Sequence, residues 1–190
     1  MRGIVLYGPP AAGKSTITTQ LHKLDPAYTL FKRLKVGSGR SSEYRMTTAS
    51  NRRELHASGD VVWENERYGN VYLIDRTGLR AALTNNAVPI VHVGQPGAIA
   101  AIQTATPNAQ WIVVELWCAR TEAAKRLTRR SRADAATRLS VWDQTPRLHA
   151  ANLRIATDAM SAKDAAITIH RRVTDAPSGT PASDSLTHRP

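Results

Sequence analysis

The sequence has few residues that could form disulfides, cross a membrane or provide a platform of aromatic rings. It contains one cysteine, Cys118, and one phenylalanine, and only 5% of its 190 residues are aromatic. One cysteine excludes an internal disulfide, which favours a reducing compartment, and its apolar neighbours predict a buried, inert thiol. No apolar run approaches the length of a membrane span, and the chain opens directly on a strand-like segment. We therefore expect no signal peptide, no membrane partner and a cytoplasmic location.

Acidic residues are also scarce, with 15 Asp and Glu against 26 Lys and Arg, and the formal net charge is +11. Such an excess favours an anionic ligand. Basic residues do not alternate with aromatic ones as in proteins that bind single strands, so a nucleic-acid partner is not the first expectation. The length and the apolar content of 42% predict one folded domain, over residues 1–173, followed by a disordered tail over 174–190.

The segment Leu6–Thr16, LYGPPAAGKST, carries the most specific motif, G-x-x-x-x-G-K-[ST]. Glycines permit the backbone angles and the close approach that let the N–H groups of such a loop surround phosphates. A lysine adds a positive charge, a serine hydroxyl is a ligand for Mg²⁺, and the helix that follows presents its positive end. We predict that ATP and Mg²⁺ bind here, with Ser15 as the metal ligand. The predicted contacts are Gly8, Pro9, Pro10, Ala11, Ala12, Gly13, Lys14, Ser15 and Thr16.

Strand-like and helix-like segments alternate along the chain. This order indicates an α/β protein with a parallel, doubly wound sheet, and two near-continuous apolar runs, VPIVHV and WIVVELW, are typical of its buried strands. A basic glycine-serine loop is expected over 35–42. Strands are predicted over 1–7, 28–32, 43–47, 60–64, 88–93, 111–117 and 153–157. Helices are predicted over 15–23, over 50–59 with Ser50 as N-cap, and over 71–83, 98–103, 121–130 with Thr121 as N-cap, 133–142 and 161–173.

From these motifs the chain resembles the guanylate kinase family of P-loop nucleoside monophosphate kinases. The resemblance runs from about residue 2 to 173. It implies the P-loop NTPase fold with an inserted acceptor-binding lobe at about 32–70 and an arginine-rich lid at about 126–138. It also implies ATP-dependent phosphoryl transfer to a nucleoside monophosphate, with GMP as the first choice, and places Asp158, after the last strand, beside the adenine. The oligomeric state is left open.

The resemblance extends to the acceptor site. In the family, two tyrosines hold the acceptor's phosphate, and Tyr44 and Tyr68 match their motifs. The family's two arginines upstream of the first tyrosine fall here on Lys32 and Lys35, with Arg33 and Arg40 nearby. Glu64 is a near match to the glutamate that reads guanine. At the strand end where the family has D-x-D, this sequence has His92-Val93-Gly94, so a histidine, either a base or a local hydrogen-bonding group, replaces the first acid.

The family lid, K-R-L-x-x-R followed by R-L, matches Lys125–Arg130 and Arg138–Leu139. The resemblance implies that Arg126, Arg130 and Arg138 reach the transferring phosphate, which makes them catalytic together with Lys14. Unpaired like charges at helical spacing are unfavourable unless an anion fills the site, and we read only Asp134 as opposing them. A solvated helix face is the alternative.

Three further functions remain open. The first is a kinase of a phosphorylated sugar, of the ribose 1,5-bisphosphate type, whose relatives also lack the strand-end acids, or of a modified nucleotide. A peptide-binding scaffold is disfavoured, because such relatives tend to have lost the phosphate loop, which is intact here. A nucleic-acid-binding or polynucleotide-phosphorylating protein would show binding that falls steeply with salt.

Overall fold

A computed structural model describes residues 1–39, 41–84 and 86–175. In these ranges the strands are β1 (Arg2–Tyr7), β2 (Tyr28–Leu30), β3 (Arg33–Val36), β4 (Tyr44–Met46), β5 (Val61–Arg67), β6 (Asn70–Asp75), β7 (Val88–Val93), β8 (Gln110–Trp117) and β9 (Leu153–Ala156). The helices are α1 (Lys14–Leu24), α2 (Ala49–Ala57), α3 (Arg76–Ala82), α4 (Pro96–Ala105), α5 (Arg120–Arg130), α6 (Ala135–Gln144) and α7 (Ala162–Thr174).

The central sheet has five parallel strands in the order β2-β7-β1-β8-β9. This confirms the predicted α/β class and the parallel sheet. Ile4 lies beside Ile90 on one side and Ile112 on the other, so β1 is central and buried. Its carboxyl end, like those of β7 and β8, opens on the edge of the sheet where ligands bind in such folds.

Alternate residues of β1 point into two separate cores. Ile4 and Leu6 pack on the side of α1 and α7, whereas Val5 and Tyr7 pack on the side of α3 and α4. All four side chains are fully buried. A strand buried on both faces must be apolar throughout, which explains the continuous run Ile4–Tyr7.

A second sheet, which we call the small sheet, has the order β4-β3-β6-β5. Strands β3 and β4 are parallel, whereas β6 is antiparallel to both β3 and β5. Trp63 joins the small sheet to the main body, since a β-carbon on Gly97 of α4 would lie only 2.7 Å from its indole. The small sheet ends at Asp75, five residues beyond the predicted boundary of the inserted lobe.

The predicted helix over 71–83 is wrong in its first half. Residues 70–75 form β6, and only Arg76–Ala82 are helical, with the Asp75 carboxylate accepting a hydrogen bond from the N–H of Gly78 at 2.9 Å. The run Val71–Ile74 is rich in β-formers, and pairing with two neighbouring strands decides its conformation. A tight two-residue turn precedes it, with positive φ at Tyr68 (55°) and Gly69 (67°).

Two predicted helix caps are also wrong. Thr48, not Ser50, caps α2 by accepting a hydrogen bond from the N–H of Asn51 at 3.1 Å. Helix α5 begins at Arg120 without a side-chain cap, so Thr121 lies inside its first turn. Lys35, expected in a loop, lies in β3.

In the described residues no helix is long and apolar enough to cross a membrane. The expected tail begins inside α7 and lies, from residue 176 onward, outside the described residues.

Candidate functional site

The loop between β1 and α1 is built by close backbone approach. A β-carbon at Gly8 (φ 154°) would collide with the carbonyl oxygen of Leu116 in β8, while its N–H donates to Val93 at 3.2 Å. Gly13 has φ 90° and is the N-cap of α1. The first backbone N–H groups of α1 therefore begin at the loop, where they favour an anion.

Lys14 extends over this loop. Its Nζ donates to the carbonyl oxygens of Gly8 at 2.6 Å and Pro9 at 2.8 Å. Burial, together with the charges of Arg33 and Arg130, lowers the pKa of Lys14 to about 7. The ammonium group thus lies among other cations, in an environment that a phosphate would neutralise.

His92 borders the site from the end of β7. Its Nε2 lies 2.7 Å from the hydroxyl of Thr18 in α1. Burial, followed by the charges of Lys14 and Arg33, lowers the pKa of His92 to about 3. The imidazole is therefore neutral at pH 7 and is a weak base, and this strand end carries no negative charge toward the loop.

One face of the small sheet carries cations and tyrosine rings. The Tyr44 and Tyr72 ring centroids are 5.2 Å apart, and the Arg33 guanidinium lies 5.8 Å and 5.2 Å from them. The Lys35 ammonium lies 5.5 Å and 5.9 Å from the same rings. Cations near ring faces are attracted by the ring quadrupole, so the two tyrosine rings help to hold these cations on this face.

Lys35 is only 3% exposed, and burial lowers its pKa. It donates to the carbonyl oxygen of Ser38 in the loop after β3. Asn70 holds the same loop by accepting from the Ser38 N–H at 2.8 Å. The position of Lys35 is therefore fixed by strand β3 and by the loop after it, which Asn70 at the start of β6 holds in place.

The site has three walls. The first is the loop between β1 and α1, the second is the face of the small sheet that carries the tyrosines, and the third is formed by helices α5 and α6. Arg126 donates to the carbonyl oxygens of Ala11 at 3.1 Å and Thr157 at 2.7 Å, and pairs with Glu122 at 2.8 Å. Arg129 is also 4.0 Å from Glu122. The expectation that only Asp134 opposes this cluster is therefore wrong, because Glu122 is one helical turn before Arg126.

Arg130 and Arg138 differ from Arg126. Neither forms a salt bridge with any described residue. Arg138 lies 4.7 Å from the centroid of the Tyr68 ring, so α6 touches the tip of the small sheet. Tyr68 has a positive φ of 55°, which costs a non-glycine residue roughly 1 kcal/mol.

The three walls enclose one cleft of about 1110 Å³. Among the described residues, eight lysines and arginines border it against two carboxylates, Glu43 and Asp134. Such an excess of positive charge raises the local concentration of anions, and an anionic ligand would neutralise it. The predicted site residues that line the cleft are Gly8, Pro10, Ala11, Ala12, Gly13, Lys14, Ser15, Thr16, Arg33, Lys35, Tyr44, Tyr68, Arg126, Arg130 and Arg138.

Four predicted site residues do not line the cleft. Glu64 points to the opposite face of β5, where Arg52 donates to it at 2.8 Å and His56 lies 2.9 Å away, and these contacts lower its pKa despite burial. Lys32 is exposed before β3. Asp158 accepts from the N–H of Ala119 at 2.6 Å and borders a second cavity of about 350 Å³. Pro9 belongs to the loop but is buried and does not border the cleft. A further predicted residue, Arg40, lies outside the described residues.

Several cleft residues were not predicted from the sequence. Asn65 and Arg67 are two residues apart in β5 and both lie on the face of the small sheet that borders the cleft, which we call the inner face. Tyr72 lies opposite Asn65 on β6. Period-two alternation over Trp63–Arg67 was the available signal, but it assigns a face only once β6 is recognised as the partner strand.

Solved structures share this fold. A guanylate kinase from Anaplasma phagocytophilum superposes with a TM-score of 0.63 at 13% identity, covering 94% of this chain and 87% of that one. The protein APE1195 superposes with a TM-score of 0.54 at 16% identity, covering 90% of this chain and 93% of that one. No protein-family model and no curated protein matches the sequence. The chain therefore has a guanylate kinase-like fold.

Proposed function

We propose that this protein is a phosphotransferase that moves the γ-phosphoryl group of ATP to a small phosphorylated acceptor, with GMP as the first acceptor to test. The observation that carries the proposal is the single cleft bordered by the loop, the inner face of the small sheet, and α5 and α6. In-line phosphoryl transfer needs these three parts, namely a holder for the donor, a holder for the acceptor and positive charge at the group in transit.

The loop fits the triphosphate of the donor. The glycine backbone leaves room for phosphate oxygens, and the Lys14 ammonium ends inside the loop. The Ser15 hydroxyl, which also borders the cleft, would hold Mg²⁺, whose charge neutralises the phosphates. The roles of these groups are binding and orientation.

The inner face of the small sheet fits the acceptor's phosphate. Tyr44 and Tyr68 would donate hydrogen bonds, and Arg33 and Lys35 would balance its charge. An oxygen of that phosphate attacks the γ-phosphorus as the bond to the β-phosphate oxygen breaks, and ADP leaves. Arg130 and Arg138 would stabilise the charge on the group in transit.

A second candidate is the transfer to a phosphorylated sugar. Glu64 faces away from the cleft and His92 is neutral, so the two positions that would read guanine through carboxylates do not supply them. A sugar phosphate needs no such carboxylates.

The test measures ADP release in a coupled assay. The acceptors are GMP, dGMP, AMP, CMP, UMP and ribose 1,5-bisphosphate. Lys14→Ala should lower turnover by several orders of magnitude, whereas Lys23→Ala, an exposed lysine at the end of α1, should not. Near-native turnover in Lys14→Ala would remove the loop as the catalytic site, and activity on the sugar phosphate alone would replace GMP.

The same preparation tests the nucleic-acid alternative. Because phosphate contacts release counterions, a nucleic-acid-binding protein loses affinity steeply between 50 and 200 mM salt, by roughly 10³–10⁵ for an extended site. We expect no binding of a DNA oligonucleotide near physiological salt. Tight binding there would favour that alternative.

A further inference from the structure

Three buried side-chain polar atoms have no hydrogen-bond partner among the described residues. They are Nε1 of Trp63, Oδ1 of Asn65 and Nε1 of Trp142. Trp63 packs against α4, and Trp142 packs against Trp117 with ring centroids 5.3 Å apart. Asn65 alone among the three borders the cleft.

The strand register fixes the position of Asn65. It lies directly opposite Tyr72, which lies directly opposite Lys35 on the next strand. Its neighbours in sequence, Glu64 and Glu66, fall on the other face of β5, since successive strand residues alternate. Asn65 is therefore at the centre of the inner face, beside the tyrosines and cations that would hold the acceptor.

A buried carbonyl oxygen without a partner is costly, and natural proteins retain few of them. We infer that Asn65 selects the acceptor, because its Oδ1 accepts a hydrogen bond from an N–H or O–H group of the bound molecule. This inference rests on the proposed function for the identity of the ligand. The observation that Oδ1 of Asn65 has no partner is independent of the proposed function.

The chemistry of this position limits what can bind. An acceptor with an N–H of a base or an O–H of a sugar at this point gains a hydrogen bond, whereas one with a carbonyl or phosphate oxygen there meets a second lone pair. The anionic part of the same molecule belongs beside Arg33 and Lys35. Asn65 thus discriminates by a polar group, which selects more sharply than an apolar pocket.

A stability measurement tests the unpartnered atom. Leucine has nearly the shape of asparagine and no polar atoms, so Asn65→Leu should leave the melting temperature of the free protein unchanged or raise it. Asn152→Leu is the matched control, because Oδ1 of Asn152 accepts from the N–H of Val113 at 2.8 Å. The control should lower the melting temperature by about 3 °C or more. A similar drop in Asn65→Leu would overturn the inference.

A binding measurement tests selection. With the acceptor that the panel identifies, Asn65→Leu should raise its KM at least tenfold while kcat and the KM for ATP change less than about threefold. Asn65→Asp, which keeps an oxygen at the same position, should recover most of the loss. Unchanged acceptor KM in Asn65→Leu contradicts the inference.

Paired ligands identify the donor group. GMP and inosine monophosphate differ by one amino group, and ribose 5-phosphate and 2-deoxyribose 5-phosphate differ by one hydroxyl. Calorimetry measures the Kd of each ligand for the wild type and for Asn65→Leu. Where the wild type binds one member of a pair more tightly, Asn65→Leu should bind both members with the same Kd. A difference in Kd that persists in the variant overturns the assignment. Absence of turnover in the wild type counts against the proposed function, whereas the stability comparison judges Asn65 alone.

Discussion

Glu115 in β8 is fully buried and carries the attachment of the chain segment after α6. Arg147 donates to it at 3.0 and 3.1 Å, the N–H of Leu148 at 2.8 Å, and Arg154 lies 3.3 Å away. Burial acts to raise its pKa, but these hydrogen bonds and charges hold the pKa below its ordinary value. A buried carboxylate with satisfied partners leaves two uncompensated guanidinium groups when it is neutralised.

Glu115→Gln should therefore destabilise the protein by about 2 kcal/mol at pH 7, less than for a fully buried pair because both arginines are about half exposed. Since the folded pKa is lowered, the stabilisation is present above the unfolded pKa and is lost as the pH falls through the folded value. Urea denaturation at pH 7 and pH 4 checks both statements. Asp143→Asn, which breaks an exposed pair with Arg120, is the control and should destabilise the protein much less.

His92 predicts a second pH effect. Its folded pKa of about 3 lies below the ordinary value of 6.5, so only the unfolded chain takes up this proton as the pH falls below 6.5. Stability should fall over that window, by up to about 2 kcal/mol between pH 6.5 and 5. His92→Gln keeps a partner for Thr18 without titrating, so its stability should fall less. Equal losses for wild type and variant would show that His92 protonates freely in the folded protein.

At the residue scale, what could be predicted depends on distance along the chain. The loop from Gly8 to Ser15 is a contiguous motif, and its pattern already implies its geometry. The side-chain direction of Glu64 depends on β6, where its partner Leu73 lies nine residues further along the chain, beyond the turn at Tyr68 and Gly69. A one-residue change of register moves a side chain to the other face of a sheet, so the acceptor contacts could not be read reliably.

At the scale of elements, α5 and α6 bring together arginines with different roles, since Arg126 holds neighbouring backbone whereas Arg130 and Arg138 form no salt bridge with a described residue. Arg126 is already bonded to the loop through Ala11 and to Thr157 after β9. Its pair with Glu122, one turn earlier, was readable from the sequence by the i, i+4 rule. The contact of Arg138 with Tyr68 was not, because it joins two elements that are distant in sequence.

This division predicts different kinetic effects. Arg130→Ala and Arg138→Ala should lower kcat at least about a hundredfold with little change in the KM for ATP, since their positive charge is available to the group in transit. Arg132→Ala, on an exposed residue that does not border the cleft, is the control and should be nearly neutral. Steady-state kinetics with saturating ATP check this. Equal, mild losses in all three variants would indicate a solvated surface, and a large rise in the KM for ATP would indicate ground-state binding.

At the scale of the whole molecule, the parallel sheet could be predicted from the alternation of strands and helices and from the continuous apolar runs of its buried strands. The small sheet could not, because its strands are short and only partly buried. The formal charge of +11 was visible in composition, but its concentration around one cleft is a property of the fold. Like charges that converge in this way repel each other in the absence of a ligand.

That repulsion predicts how the free protein responds to anions. Inorganic triphosphate at about 100 times its Kd should stabilise the fold by about 2.7 kcal/mol, which raises the melting temperature by roughly 5–10 °C. Sodium chloride at equal ionic strength should raise it much less, because screening lacks the geometry of the loop. Arg33→Ala should melt at the same or a higher temperature than wild type without triphosphate and should gain less from it, since it removes a cation beside Lys14. Arg53→Ala, an exposed arginine of α2, should respond as wild type does. Thermal melts with and without triphosphate check these outcomes, and an equal response to triphosphate and chloride would mean that the cleft's charges do not act together on one anion.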